Sequence, residues 1–197
     1  MTPRVAILDY GCGNLGSVAN AVRKVGGEPF VIGRWPVAPE PMPTHLVLPG
    51  QGHFGAAMEQ LQTWACAWAR GHNVPILGIC LGMQLMCESS EEAPGVPGLG
   101  WLPYRVVKMP VSHLPHIGWN GVEALGDYYF CHSYAVPFNG NRWPAEPPNH
   151  FFTIRTTTYD TYQFVSLIRR DHLWAVQFHP EKSGGAGLNL LAEFLKL

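Results

Sequence analysis

An apolar run over residues 74–79 leads without a charged residue into Cys80-Leu81-Gly82 and then a helix-forming stretch, Leu81 to Cys87. Gly78-Ile79-Cys80-Leu81-Gly82 is a G-x-C-x-G segment at that junction, the form of a nucleophile elbow with cysteine in place of serine. Such a turn brings strand and helix backbones together where a Cβ would clash, so glycine is required on both sides of the cysteine. The segment demands a strand with its C-terminal end open and a helix packed back on the same sheet. That is the architecture of a parallel sheet covered by helices.

The rest of the N-terminal half agrees. Val5 to Leu8 is a short continuous apolar run, the pattern of a strand buried on both faces. Asn14 to Lys24 reads as a helix stopped by Gly26-Gly27. Glu28 to Ile32 and His45 to Leu48 read as further strands. A helix over 54–69 carries Phe54, Met58, Leu61, Ala65 and Trp68 at helical period. After Glu92 the rhythm changes. Strand patterns at Val106-Val107, 128–130, 151–157, 164–168 and 173–178 alternate with proline-rich loops, which predicts an antiparallel extension on the parallel core. A closing helix is expected from about Gly187, with Leu188, Leu191 and Leu195 as its stripe. The length of 197 residues fits one domain, 1–197, without internal repeats.

Composition excludes several classes. There are 13 basic against 14 acidic residues, and no basic run is longer than a pair such as Arg169-Arg170, so no nucleic-acid footprint or membrane-binding polybasic patch is expected. Residues 75–87 are too short and too interrupted, by Gln84, to span a bilayer. No metal site is expected: the five cysteines, Cys12, Cys66, Cys80, Cys87 and Cys131, form no C-x-x-C pair. Their odd number argues against a disulfide framework and for a reducing, cytoplasmic setting. Cys66 and Cys87 read as small buried hydrophobes.

The chemistry then centres on Cys80. At the start of a helix its sulfur faces unpaired N–H groups and the positive end of the dipole, which favour a thiolate. An ordinary thiol is only ~3% ionised at neutral pH, so such help matters. His179 follows the strand ending at Phe178, and Glu181 is two residues on. Extended geometry would point both side chains the same way, so Glu181 can hold the imidazole while His179 takes the thiol proton. Acyl transfer through a thioester needs two donors for the oxyanion. The Leu81 N–H is one candidate. The second would come from Pro49-Gly50-Gln51-Gly52, a glycine loop leaving the same edge of the sheet, although P-G-x-G alone also describes an ordinary turn.

One motif competes. Gly11-Cys12-Gly13-Asn14-Leu15-Gly16 is a literal G-x-G-x-x-G between a strand and a helix, the dinucleotide fingerprint. A nicotinamide oxidoreductase is therefore an alternative. It leaves Cys80, His179 and Glu181 unexplained, and no acidic residue ends the second strand. A binding module with an idle site is a third reading, against which the intact catalytic set argues.

GICLGMQLM at 78–86 and VQFHPEKS at 176–183 resemble the nucleophile and His/Glu motifs of the class I (triad) glutamine amidotransferases. DYGCGNLGSV at 9–18, PGQGHFGAAM at 49–58, ESSEEAPGVPGLGW at 88–101, LPHIGWN at 114–120 and YYFCHSY at 128–134 are similar to one branch of that class. Its members are glutaminase subunits of a two-subunit synthase in histidine biosynthesis. The resemblance covers nearly the whole chain and implies a flavodoxin-like α/β fold, a mainly parallel sheet with helices on both faces. It also implies a mechanism without a cofactor: Cys80 attacks the glutamine carboxamide, ammonia leaves with a proton from His179, and water hydrolyses the thioester.

By family position, Gly50, Gly52, Gln84, Glu92, Ser133 and Tyr134 form the glutamine pocket. Glu92 would bind the α-ammonium, though it also fits an ordinary loop acid, and Tyr134 also fits the core. The ammonia would pass to a (β/α)8-barrel cyclase subunit, the partner in a heterodimer. Asn14, Ser17, Trp119 and Asn120 face that partner by position, and Lys182 is either a salt-bridge donor across the junction or a solvated lysine. An anthranilate-type synthase is another acceptor for the same class, against which Gly118-Trp119-Asn120 and Glu181-Lys182-Ser183 argue. Gln51 departs from the small apolar residue usual in the oxyanion loop, and residues 139–150 match no motif.

Overall fold

The computed structural model describes residues 1–33, 42–61, 74–138 and 152–197. The distal part of the helix expected over 54–69, Cys66, and the segment 139–150 lie outside these residues. The elements that position the site are β1 (Arg4–Leu8), α1 (Leu15–Lys24), β2 (Glu28–Ile32), β3 (His45–Leu48), α2 (Phe54–Leu61), β4 (Ile76–Ile79) and α3 (Leu81–Leu85). They continue with β5 (Ser89–Ser90), β6 (Arg105–Lys108), β7 (His116–Val122), β8 (Gly126–His132), β9 (Tyr134–Ala135), β10 (Phe152–Tyr159), β11 (Tyr162–Arg170) and β12 (Leu173–Val176). A 3-10 turn (Pro180–Lys182) and α4 (Gly184–Phe194) close the chain.

Seven strands form one sheet in the order β10-β11-β12-β4-β3-β1-β2. The five from β12 to β2 run parallel, and β11 and β10 add the antiparallel extension. The apolar run of β1 is explained by its two covered faces. Val5 and Ile7 pack with Val18 and Val22 of α1 and Leu190 and Phe194 of α4. Ala6 and Leu8 point the other way, into a cluster with Phe54 and Met58 of α2 and Met83 of α3. Truncating a fully buried phenylalanine in such a layer costs about 3–5 kcal/mol.

The chain reverses direction across the sheet between β1 and β3, the switch point at which open α/β sheets bind ligands. Loops after β1, β3, β4 and β12 all leave this edge. Three expectations are corrected here. α4 starts at Gly184 rather than Gly187, and its inward face is Leu190, Leu191 and Phe194, with Leu188 only half-buried. β7 is a full strand that the apolar pattern did not indicate. The strand before His179 stops at Val176 instead of Phe178, and the polypeptide then turns.

Candidate active site

Cys80 sits between β4 and α3 with φ 49° and ψ −103°, a left-handed backbone that a side chain rarely adopts. The turn is held by its N–H, which donates to Val176 O at 2.7 Å. Gly82 has no alternative residue: a Cβ there would collide with the Leu48 carbonyl of β3. Gly50 is equally constrained, since a Cβ would meet Ile79 O and the N–H groups of Leu81 and Gly82. The glycine loop after β3 is thus packed backbone to backbone on the elbow, with Gly52 at φ 146°. The G-x-G-x-x-G loop lies beside it, where a Cβ on Gly13 would come within 3.3 Å of Pro49 and one on Gly52 within 2.7 Å of Cys12 Sγ. That loop caps α1: the Asn14 side chain accepts from the Ser17 N–H at 3.1 Å.

α3 has only five residues, so the dipole expected to support Cys80 extends over little more than a turn. Direct contacts replace it. Gln177 Nε2 donates to Cys80 Sγ at 3.4 Å, and the thiol faces Cys131 O at 3.8 Å. Cys87 is a buried thiol bonded to Met83 O, and burial pushes its ionisation far up.

β12 lies beside β4, with Val176 opposite Ile79, and this register brings His179 to Cys80. The imidazole is 2% exposed, and its Nδ1 is 2.8 Å from Glu181 Oε1. Strand alternation does not produce this pair. His179 is extended (φ −103°, ψ 94°), but Pro180–Lys182 is a 3-10 turn that folds the carboxylate back on the ring. His179 N–H donates to Tyr129 O at 2.8 Å, and Ser183 Oγ donates to His179 O at 2.6 Å while accepting from Tyr129 N–H. Burial alone would lower the imidazole's affinity for a proton. The neighbouring Cys80 thiolate and the Glu181 carboxylate outweigh it and raise the His179 pKa to about 10. His179 Nε2 is buried and bonds no group other than the Cys80 sulfur beside it, the strongest of the influences that raise its pKa.

A cavity of about 290 Å³ opens over Cys80 and is lined by Gln51, Gly52, Leu81, Gln84, Glu92, Ser133 and Tyr134 among others. All of these were singled out in the sequence. Gly50 lies behind the lining, against the elbow. Glu92 is no free loop acid: its Oε2 accepts from the Phe54 N–H at 2.7 Å, capping α2. Tyr134 is half-buried against the core and also lines the cavity. Pro115, Cys131 and His132 line it too and were not anticipated. His132 is buried, and its Nδ1 donates to Tyr134 O at 2.9 Å while its Nε2 meets His116 Nδ1 at 3.1 Å. Burial holds His132 at a pKa of about 3 and His116 at about 4.

Of the residues expected at a partner surface, Trp119, Lys182 and Ser17 lie about the 3-10 turn. Trp119 is 58% exposed and meets Tyr129 edge to face, and Lys182 Nζ is 5.7 Å from the same tyrosine ring. Ser17 lines a second cavity with Pro180 and Glu181. Asn120 has its side chain engaged internally, donating to Thr158 O and bonding His116 Nε2. Among the described residues no three His, Cys, Asp or Glu side chains converge as metal ligands.

This arrangement is that of a triad amidotransferase. The family model for glutamine amidotransferase class-I matches residues 6–197, and the chain belongs to that family. Within it, the similarity falls on one kind of member. Imidazole glycerol phosphate synthase subunit HisH of Methanothermobacter thermautotrophicus is 40% identical, over 98% of both chains. Imidazole glycerol phosphate synthase hisHF of Emericella nidulans is 37% identical over 98% of this chain, which spans only 38% of that longer protein. A crystal structure of a glutamine amidotransferase shares the fold at a TM-score of 0.69, covering 98% of this chain and 99% of that one at 18% identity. This family assignment does not favour the dinucleotide reading of the G-x-G-x-x-G loop.

Proposed function

We propose that the chain, acting as one glutaminase domain over 1–197, hydrolyses glutamine to glutamate and ammonia and delivers the ammonia to a cyclase subunit of imidazole glycerol phosphate synthase. The observation that carries the reading is the convergence of Cys80, His179 and Glu181 from adjacent parallel strands beneath one cavity. The Cys80 sulfur attacks the carboxamide carbon after its proton passes to His179. The same proton then leaves with ammonia, and water, deprotonated by His179, cleaves the thioester. The developing oxyanion is held by the Leu81 N–H and by an N–H of the 49–52 loop. Glu92 Oε1 takes the α-ammonium of glutamine, since Oε2 is engaged with α2. Ser133 and Tyr134 take the α-carboxylate.

The partner is a (β/α)8-barrel cyclase, docked against Trp119, Lys182, Asn14 and Ser17. Exposed Ile117 and Trp119 on β7 support this, because a strand with its apolar side chains outward needs a cover. The fused relative supports pairing with a second catalytic domain. The unbridged Cys12, Cys80, Cys87 and Cys131 suit a reducing cytoplasm. No described helix is long and apolar enough to cross a membrane. The test is glutamate release from glutamine by the chain alone and with a barrel cyclase subunit carrying its ribonucleotide. A large rise on pairing is expected. No release in a confirmed complex would refute the glutaminase reading.

A further inference from the structure

Gln84 has no freedom of orientation. Its Nε2 lies 2.8 Å from the Tyr134 carbonyl and 3.1 Å from Gln177 Oε1. A carbonyl oxygen only accepts, so the end of Gln84 that faces Tyr134 must be its NH2. Gln177 must then answer that NH2 with oxygen. Gln177 is fully buried, and its remaining polar group, its own NH2, points to Cys80 Sγ at 3.4 Å. The Tyr134 oxygen is itself pinned, because His132 Nδ1 donates to it as well. Flipping either amide would set like groups of two buried side chains against each other, which is costly.

The polarity of one carbonyl therefore reaches the nucleophile through two carboxamides. On its other side the sulfur faces Cys131 O, which only accepts. The thiol bonds one way, donating to Cys131 O. The thiolate bonds the other way, accepting from Gln177.

Building on the reading of Cys80 as nucleophile, we propose that Gln177 is a further catalytic residue. Its N–H, aimed by Tyr134 O through Gln84, holds the Cys80 sulfur as an anion before attack and again when the thioester is cleaved. In the first step the S–H proton goes to His179 and the sulfur electron pair forms the bond to the carboxamide carbon. In the last the C–S bond electrons return to sulfur. Gln177 keeps its own proton throughout. Gln84 acts through Gln177 as a positioning residue.

The test is carboxamidomethylation of Cys80 by iodoacetamide, followed by peptide mass from pH 6 to 10 in the full chain and in Gln177→Leu and Gln177→Glu. A hydrogen bond to an anion predicts that Gln177→Leu slows the reaction about tenfold or more at pH 7. The gap should narrow as pH rises, since an ordinary thiol of pKa ~8.5 is ionised in alkali without a donor, and Gln177→Glu should be slower still at pH 7. An unchanged profile, or a loss equal at every pH, overturns the proposal. Should the variants misfold, the side-chain amide NMR signals of Gln177 in the unaltered chain decide: they must shift as Cys80 ionises and not do so in Cys80→Ala. Signals that ignore the thiol overturn it. The alkylation needs no glutamine, so its failure is distinct from failure of the glutaminase reading.

Discussion

His179 Nδ1 and Glu181 Oε1 meet at 2.8 Å across a single 3-10 turn. The turn is clamped by Ser183, which bonds both His179 O and the Tyr129 N–H. The imidazole is thus oriented by a local turn fixed to β8.

Cys80→Ala should lower glutamine-dependent glutamate release by a factor of at least about 10³. It should leave ammonia-dependent turnover by the cyclase subunit intact. Assaying both nitrogen sources in the assembled pair checks this, and equal loss of both would remove Cys80 from its assigned role.

The His179 pKa is raised to about 10 by Cys80 and Glu181 against the opposing effect of burial. The folded state holds this proton more tightly than the unfolded chain, whose histidine has a pKa near ~6.5. The resulting stability is fully present below about pH 6.5 and is lost as pH rises through about 10. Urea unfolding between pH 6 and 11 should show this decline in the unaltered chain and a flatter one in His179→Gln. Cys80→Ala should also flatten it, because it removes the largest of the interactions that raise the His179 pKa.

His116 and His132 behave in the opposite sense. Burial depresses both, to about 4 and about 3, with Asp160 partly offsetting the effect on His116 and His116 and His179 adding to it on His132. They stay neutral in the folded chain while the unfolded chain takes up protons. Their contribution is present above about pH 6.5 and is lost as pH falls, by up to about 1.4 kcal/mol per pH unit for each. Melting temperature between pH 7 and 4 should fall more steeply in the unaltered chain than in His132→Asn, which keeps the donor to Tyr134 O.

Glu92 and Trp119 separate local from partner effects. Glu92→Ala removes the cap on Phe54 N–H and should cost about 1–3 kcal/mol of stability while raising KM for glutamine. Glu92→Gln should restore the stability but not the KM. Trp119→Ala should leave stability within about 0.5 kcal/mol, since the ring is 58% exposed. It should weaken subunit pairing by about 2 kcal/mol, roughly 30-fold in Kd. Titration calorimetry with the cyclase would show it, and an unchanged Kd would exclude Trp119 from the junction.

Much of this site was legible in the residues. Strands β1 and β3 announce themselves as apolar runs because both faces of the sheet are covered there. The elbow announces itself because only glycine tolerates the contacts at Gly50 and Gly82. β7 escaped notice because its alternation is inverted: His116 points inward, stacked at 4.0 Å on Tyr159, while Ile117 and Trp119 point out. Gln177 escaped because one amide in an apolar strand exit carries no spacing signal; its role exists only once Gln84 and Cys80 lie beside it. The His179 and Glu181 pair was legible in spacing but not in geometry, since Pro180 opens a turn that alternation does not foresee.

β12 enters the sheet between β4 and β11, although Gln177, just beyond it, is 97 residues from Cys80 in the chain. On the ribosome, the strand bearing the nucleophile therefore emerges long before its neighbour. Until residue 176 is made, β4 has one bare edge, and Cys80 has neither His179 nor Gln177 beside it. A nascent chain that has not reached residue 181 cannot assemble the site, so ammonia release waits for the strand and turn that carry Gln177, His179 and Glu181. The cost is a transiently open sheet edge that can pair with another chain.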